Sequence, residues 1–203
     1  MSEITEAKKA ARARIRSARS TLDVAESARR AEALGRVLEE HVPARARVAA
    51  YLPMAHEPDV RPFLTRHLRR GGQVLLPRVA DDPVPRVEWV SWAAQSETRR
   101  HPVLPLDEPV GHARTLSDVL AEGPLQMLLP ALAVDTSGHR LGQGGGYYDR
   151  MFAEVEAADL REQVSAWAVV GPEEVLPAGS FPVEPHDLAV DAVVTPEGLR
   201  RLR

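Results

Sequence analysis

The 203-residue chain contains no cysteine, which excludes disulfides, thiol nucleophiles and thiolate metal sites. Lysine is nearly absent too: of 26 basic residues only Lys8 and Lys9 are lysines, leaving 24 arginines. A compact ammonium and a planar guanidinium are not equivalent ligands, so those two lysines stand out. Aromatic residues make up only 4% of the chain, so the core must be built mainly from Val, Leu and Ala. There is no long apolar run; the best stretch, residues 127–134, holds a proline and is too short to span a bilayer. Residues 1–9 are polar and charged, without the apolar segment of a signal peptide. A net charge of −3 gives no general attraction to nucleic acid or anionic membrane. These absences predict a soluble cytoplasmic protein without nucleic-acid or membrane partners. A single domain over 1–203 and a monomer are expected.

What is present alternates. Residues 7–19 are rich in Ala and Arg and predict a helix. Asp23 and Glu26 predict the capped start of a second helix, with Leu34, Val37, Leu38 and His41 at helical spacing and Pro43 ending it. Together these form an N-terminal helical segment, about 6–42. The remainder, about 46–203, predicts strands at 47–51, 73–79, 86–92, 125–129, 164–170 and 191–194. Helices are predicted at 60–70 and 147–158. Residues 94–123 carry several prolines and no sustained period, predicting loops with one short helix near 116–121. Strands alternating with helices imply an α/β fold: a largely parallel sheet flanked by helices on both faces.

Five of the thirteen glycines fall within residues 138–146, and two of the three tyrosines follow at once. The order is strand, glycine loop, helix. Such a loop lets backbone approach a ligand closely, and free N–H groups at a helix start favour an anion such as phosphate. It is neither a Walker A loop nor G-x-G-x-x-G, and a flexible surface turn is an equal reading of the glycines alone. Arg140 precedes the loop and can fork onto a phosphate. Asp149, in the first helical turn, can complement the helix dipole or hold Mg²⁺. Tyr148 shares a helix face with Met151, Phe152 and Val155 and reads as core, whereas Tyr147 is turned towards the loop. Lys8, Arg12, Arg16 and Arg19 lie along one side of the first helix, and a solvated basic face explains them as well as ligand binding does. The seven histidines show no metal-ligand spacing.

LPALAVD at residues 129–135, followed by RLGQGGGYYDR at 140–150, resembles the central motif of the 5-formyltetrahydrofolate cyclo-ligase (5,10-methenyltetrahydrofolate synthetase) family. KKAAR at 8–12, YLPMAHE at 51–57 and VEPHD at 183–187, then Asp191 and Thr195-Pro196, are similar to that family's other segments, in order and over nearly the whole chain. The resemblance implies the architecture of sugar-phosphate isomerases and CoA transferases (NagB/RpiA/CoA-transferase-like). It implies ATP as co-substrate, Mg²⁺ as cofactor and 5-formyltetrahydrofolate as substrate, with or without a polyglutamate tail.

By resemblance, Lys8, Arg12, Arg140, Leu141, Gly142, Gln143, Gly144, Gly145, Gly146, Tyr147 and Tyr148 surround ATP. Leu52, Glu57, Gln143, Gly144, Gly145, Gly146 and Tyr147 hold the folate, Asp149 and Asp187 hold the metal, and Arg140 and Tyr147 serve catalysis. Gln143 and Gly145 stand where other members can carry basic side chains, which leaves more of the phosphate charge to Arg140, Lys8 and Arg12. A non-catalytic nucleotide- or folate-binding relative, or a sugar-phosphate isomerase or CoA-transferase-like enzyme of the same fold, are the alternatives.

Overall fold

The structure is a computed structural model that describes residues 3–80, 86–93 and 95–202; the first residue of the predicted 94–123 loop region and both ends of the 1–203 span lie outside it. Helix α1 (Glu3–Arg19) is followed by α2 (Val24–His41), whose start is fixed by Asp23 accepting the Glu26 amide. Strand β1 (Arg47–Ala49), helix α3 (Arg61–Arg69), β2 (Gln73–Val79) and β3 (Val87–Trp92) come next. The stretch predicted as loops contains β4 (Thr98–Arg100), β5 (Asp107–Pro109) and β6 (Ala113–Arg114), then α4 (Leu116–Leu120), opened by a reciprocal Thr115–Asp118 capping box. These strands are two or three residues long, too short for alternation to register. The chain continues through β7 (Leu125–Pro130), β8 (Ala133–Asp135), β9 (Arg140–Leu141), α5 (Tyr147–Ala157), β10 (Val164–Val169), β11 (Val175–Leu176), β12 (Ala192–Thr195) and β13 (Gly198–Arg201).

Eight strands form the main sheet in the order β13-β12-β10-β7-β1-β2-β3-β6. Its five central strands, β12 to β2, run parallel, and β13, β3 and β6 add antiparallel edges, so the sheet is mixed. Strand residues alternate cleanly between the two faces. Val48, Val74, Leu76, Leu128, Trp167 and Val169 pack on one side with Leu34 and Leu38 of α2 and Phe63 and Leu64 of α3. Their neighbours Ala49, Leu75, Met127, Leu129, Ala166 and Ala168 pack on the other with α4 and with Met151, Phe152 and Val155 of α5.

Strand order reverses between β1 and β7: β1 leads through α3 to β2 on one side, and β7 through α5 to β10 on the other. In open α/β sheets the crevice at the carboxyl ends of such a strand pair is where ligands bind. A third apolar cluster, Ile15, Leu132, Ala133, Leu141 and Phe181, seats α1 against this same end. No helix among the described residues is long and apolar enough to cross a membrane.

Candidate active site

After β7 the chain enters a small sheet of order β11-β8-β9. The β8–β9 turn is held by Asp135, whose Oδ1 accepts the amides of Ser137 and His139 at 3.0 Å each. This turn delivers Arg140, only 6% exposed, to the crevice. Its Nη1 donates to the Pro130 carbonyl (3.2 Å), its Nη2 to Asp149 Oδ1 (3.0 Å), and its guanidinium lies 5.5 Å from the Tyr148 ring centroid. A Cβ at Gly142 would lie 2.8 Å from Arg140 Nη1, so glycine there is a condition of this placement. Gly146 caps α5 with φ of 67° and no side chain, leaving the first amides of that helix without a side-chain acceptor. Asp149, in the first turn of α5, also accepts the Leu188 amide at 3.2 Å.

On the basic side of α1, Lys8 and Arg19 are buried and Arg12 is half-buried, while Arg16 stays exposed. Lys8, 6% exposed, donates to Asp187 Oδ2 at 2.5 Å and to Glu184 Oε2 at 2.9 Å. Burial works to lower the Lys8 pKa, but the Asp187 and Glu184 carboxylates outweigh it and raise the ammonium above its ordinary value. Burial works to raise Asp187, but Lys8 and the Glu184 amide hold its carboxyl below the usual range. Arg12 donates to the Gly142 carbonyl at 2.9 Å, and burial, then the neighbouring Arg16, lower its pKa. Arg16 reaches Gln143 through both its Oε1 and its main-chain carbonyl. Arg19 is buried against Glu174.

The loop of Gly142 to Gly146 stands between two cavities. The first, about 450 Å³, is lined by Lys8, Arg12, Arg140, Leu141, Asp149 and Asp187. The second, about 480 Å³, is lined by Arg16, Leu52, Glu57, Tyr147 and Tyr148, together with Leu104, Pro105 and Leu106. Gly142, Gly144, Gly146, Arg140 and Asp149 border both, while Gln143 and Gly145 face the second. Every residue expected around the ligands therefore reaches this one crevice, divided by the loop. Tyr148 is half-buried, packs against the core as its helix position predicts, and also lines the second cavity; burial pushes its phenol above the ordinary range.

Asp149 and Asp187 offer the hard oxygen donors that Mg²⁺ selects, so the chemistry of the donor set fits that ion; Asp149 stands outside the group of close-lying candidate ligands, Glu184, His186 and Asp187. Sequence reasoning did not single out Glu184, which shares Lys8 and lies with His186 and Asp187 so that one ligand atom of each falls within 4.8 Å of the others. It also missed residues 104–106, which no periodicity marks, and left Arg16 undecided between a solvated face and ligand binding. The i, i+4 series of 8, 12 and 16 was the available signal for Arg16.

The 5-formyltetrahydrofolate cyclo-ligase family matches residues 4–196. The 5-formyltetrahydrofolate cyclo-ligase of Mycolicibacterium smegmatis is 37% identical over 169 residues, covering 77% of each chain. The Escherichia coli K12 enzyme of the same name is 31% identical over 150 residues, 73% of this chain and 77% of its own. Among solved structures, 5,10-methenyltetrahydrofolate synthetase from Aquifex aeolicus superposes with a TM-score of 0.76 at 26% identity, covering 97% of this chain and 93% of that one. The Mycoplasma pneumoniae synthetase shares the fold, with a TM-score of 0.69 at 19% identity over 93% and 98% of the two chains. With this fold, this crevice and these relatives, the chain belongs to the 5-formyltetrahydrofolate cyclo-ligase family.

Proposed function

We propose that this chain, acting as one unit from α1 to β13, converts 5-formyltetrahydrofolate and ATP into 5,10-methenyltetrahydrofolate, ADP and phosphate. The observation that carries the reading is the glycine loop as common wall of two cavities of unlike chemistry, one ringed by cations and carboxylates, the other largely apolar with Glu57. A phosphoryl donor in the first cavity and a pterin in the second would meet across backbone that carries no side-chain bulk.

In this reading Lys8, Arg12, Arg140 and the loop amides bind the phosphates, and Leu52, Glu57 and Tyr147 hold the folate. Asp149 and Asp187 would hold Mg²⁺, which when bound neutralises phosphate charge. The N5-formyl group is an amide and a poor electrophile. Its oxygen attacks the γ-phosphorus and the γ-phosphorus–oxygen bond to ADP breaks. N10 then attacks the activated formyl carbon, the carbon–oxygen bond breaks with release of phosphate, and N10 gives up its proton. The protein's contribution is alignment and charge compensation, with no covalent enzyme nucleophile.

Purified protein given 5-formyltetrahydrofolate and MgATP should accumulate methenyl product, and Arg140→Ala should abolish turnover. Well-folded protein without turnover, or near-wild-type activity in Arg140→Ala, overturns the reading. Turnover of a sugar phosphate or CoA ester without ATP would favour the other enzymes of this fold.

A further inference from the structure

Gln143 is the one loop side chain that touches both α1 and the segment after β1, among the described residues. Its Oε1 accepts from Arg16 Nε at 3.0 Å and from Arg16 Nη2 at 2.9 Å, and Nη2 also donates to the Gln143 main-chain carbonyl at 3.0 Å. Its Nε2 donates to Glu57 Oε1 at 3.1 Å. The other carboxylate oxygen of Glu57 accepts the Met54 amide at 3.0 Å. Both oxygens of Glu57 are thus engaged, and one of the two donors depends on which way the Gln143 amide points.

A guanidinium can only donate, so Arg16 demands the oxygen end of that amide. With Oε1 turned to Arg16, Nε2 must face Glu57. Without Arg16 the amide can rotate, and its oxygen would then oppose the Glu57 carboxylate. We infer that Arg16 is a positioning residue for the folate half of the crevice: acting through the Gln143 amide, it sets the Glu57 carboxylate that receives the pterin. Arg16 itself is exposed, so its loss costs little folding stability. The inference rests on the proposed folate role of Glu57.

Arg16→Ala, Gln143→Ala and the double variant separate the possibilities by direct titration with 5-formyltetrahydrofolate and, separately, with MgATP. Each single variant should weaken folate binding about 3- to 10-fold, the loss of one net hydrogen bond, with MgATP affinity unchanged in Arg16→Ala. The double variant should bind folate about as well as Gln143→Ala, because the influence of Arg16 on Glu57 passes through that side-chain amide, while its bond to the Gln143 main-chain carbonyl does not reach Glu57. Arg16→Lys, which keeps a donor, should recover part of the affinity. Additive losses, or a loss confined to MgATP, would mean that Arg16 meets a ligand directly and would overturn the inference. If the wild-type protein binds no folate, the functional proposal fails by itself. The relay is then read without ligand, from the Gln143 side-chain amide resonance in ¹⁵N-labelled protein. That signal should move in both Arg16→Ala and Glu57→Gln, and an unmoved signal in either would refute the relay.

Discussion

Replacing Arg19 by alanine is expected to unseat α1 from the body of the protein. Arg19 and Glu174 are each 5% exposed. Arg19 Nε and Nη2 donate to the two Glu174 oxygens at 2.6 Å each, and Nη2 also donates to the Ala131 carbonyl at 2.6 Å. Burial works to lower the pKa of this guanidinium, but Glu174 outweighs it and raises it. Removing the arginine strands a buried carboxylate, which costs about 3–5 kcal/mol. Against a total stability of about 5–15 kcal/mol this is a large share, equivalent to lowering Tm by roughly 6–20 °C for a chain of this length. Urea denaturation of the wild type and Arg19→Ala measures the difference. MgATP titration below the transition should also show weakened binding, because α1 carries Lys8 and Arg12. Arg19→Met combined with Glu174→Leu removes both charges and should restore most of the stability and the binding. A loss below about 1 kcal/mol in Arg19→Ala, the range of an exposed pair, would refute the reasoning.

Two of the three cations assigned to phosphate are paired with a carboxylate assigned to the metal, Lys8 with Asp187 and Arg140 with Asp149. Mg²⁺ alone or ATP alone would strand one member of each pair, so calorimetry should find MgATP bound far more tightly than either, and Lys8→Met should improve binding of Mn²⁺ without nucleotide; equal affinities for ATP with and without metal would contradict this. His67, on α3, is fully buried, donates from Nε2 to the Ala46 carbonyl at 2.9 Å, and leaves Nδ1 without a partner among the described residues. Burial lowers its pKa below the ordinary 6.5, so the unfolded chain takes up a proton that the folded chain refuses. Stability should therefore be full above that value and fall as pH drops from about 7 to 5, a slope that His67→Gln should flatten in denaturation experiments; an unchanged slope would count against a buried neutral imidazole.

Much of this was legible before any coordinates. The apolar runs within 47–51 and 125–129 and the apolar stripes of α2 and α5 are local patterns strong enough to define elements, but in a strand apolar on both faces only packing decides which residue faces which side. The antiparallel edge was not legible, because β6 and β13 are short strands whose pairing is decided by distant neighbours. The glycine loop, Arg140 and Asp149 could be grouped because they are adjacent in sequence. Lys8, Glu57 and Asp187 could be joined to them only through resemblance, since nothing local brings residues 8, 57 and 187 to one crevice. Arg16 and Glu184 were missed for a related reason: their meaning lies in their partners, Gln143 and Lys8, which lie 127 and 176 residues away.

In the proposed reaction a formyl oxygen crosses the loop onto phosphorus before N10 closes the ring. Substrate labelled with ¹⁸O in the N5-formyl group, turned over with unlabelled MgATP, tests it by mass spectrometry of the released phosphate. One ¹⁸O per phosphate is predicted, in step with methenyl product. Unlabelled phosphate, with the label lost to water, would contradict phosphorylation of the formyl oxygen and with it the division of the crevice into nucleotide and folate halves.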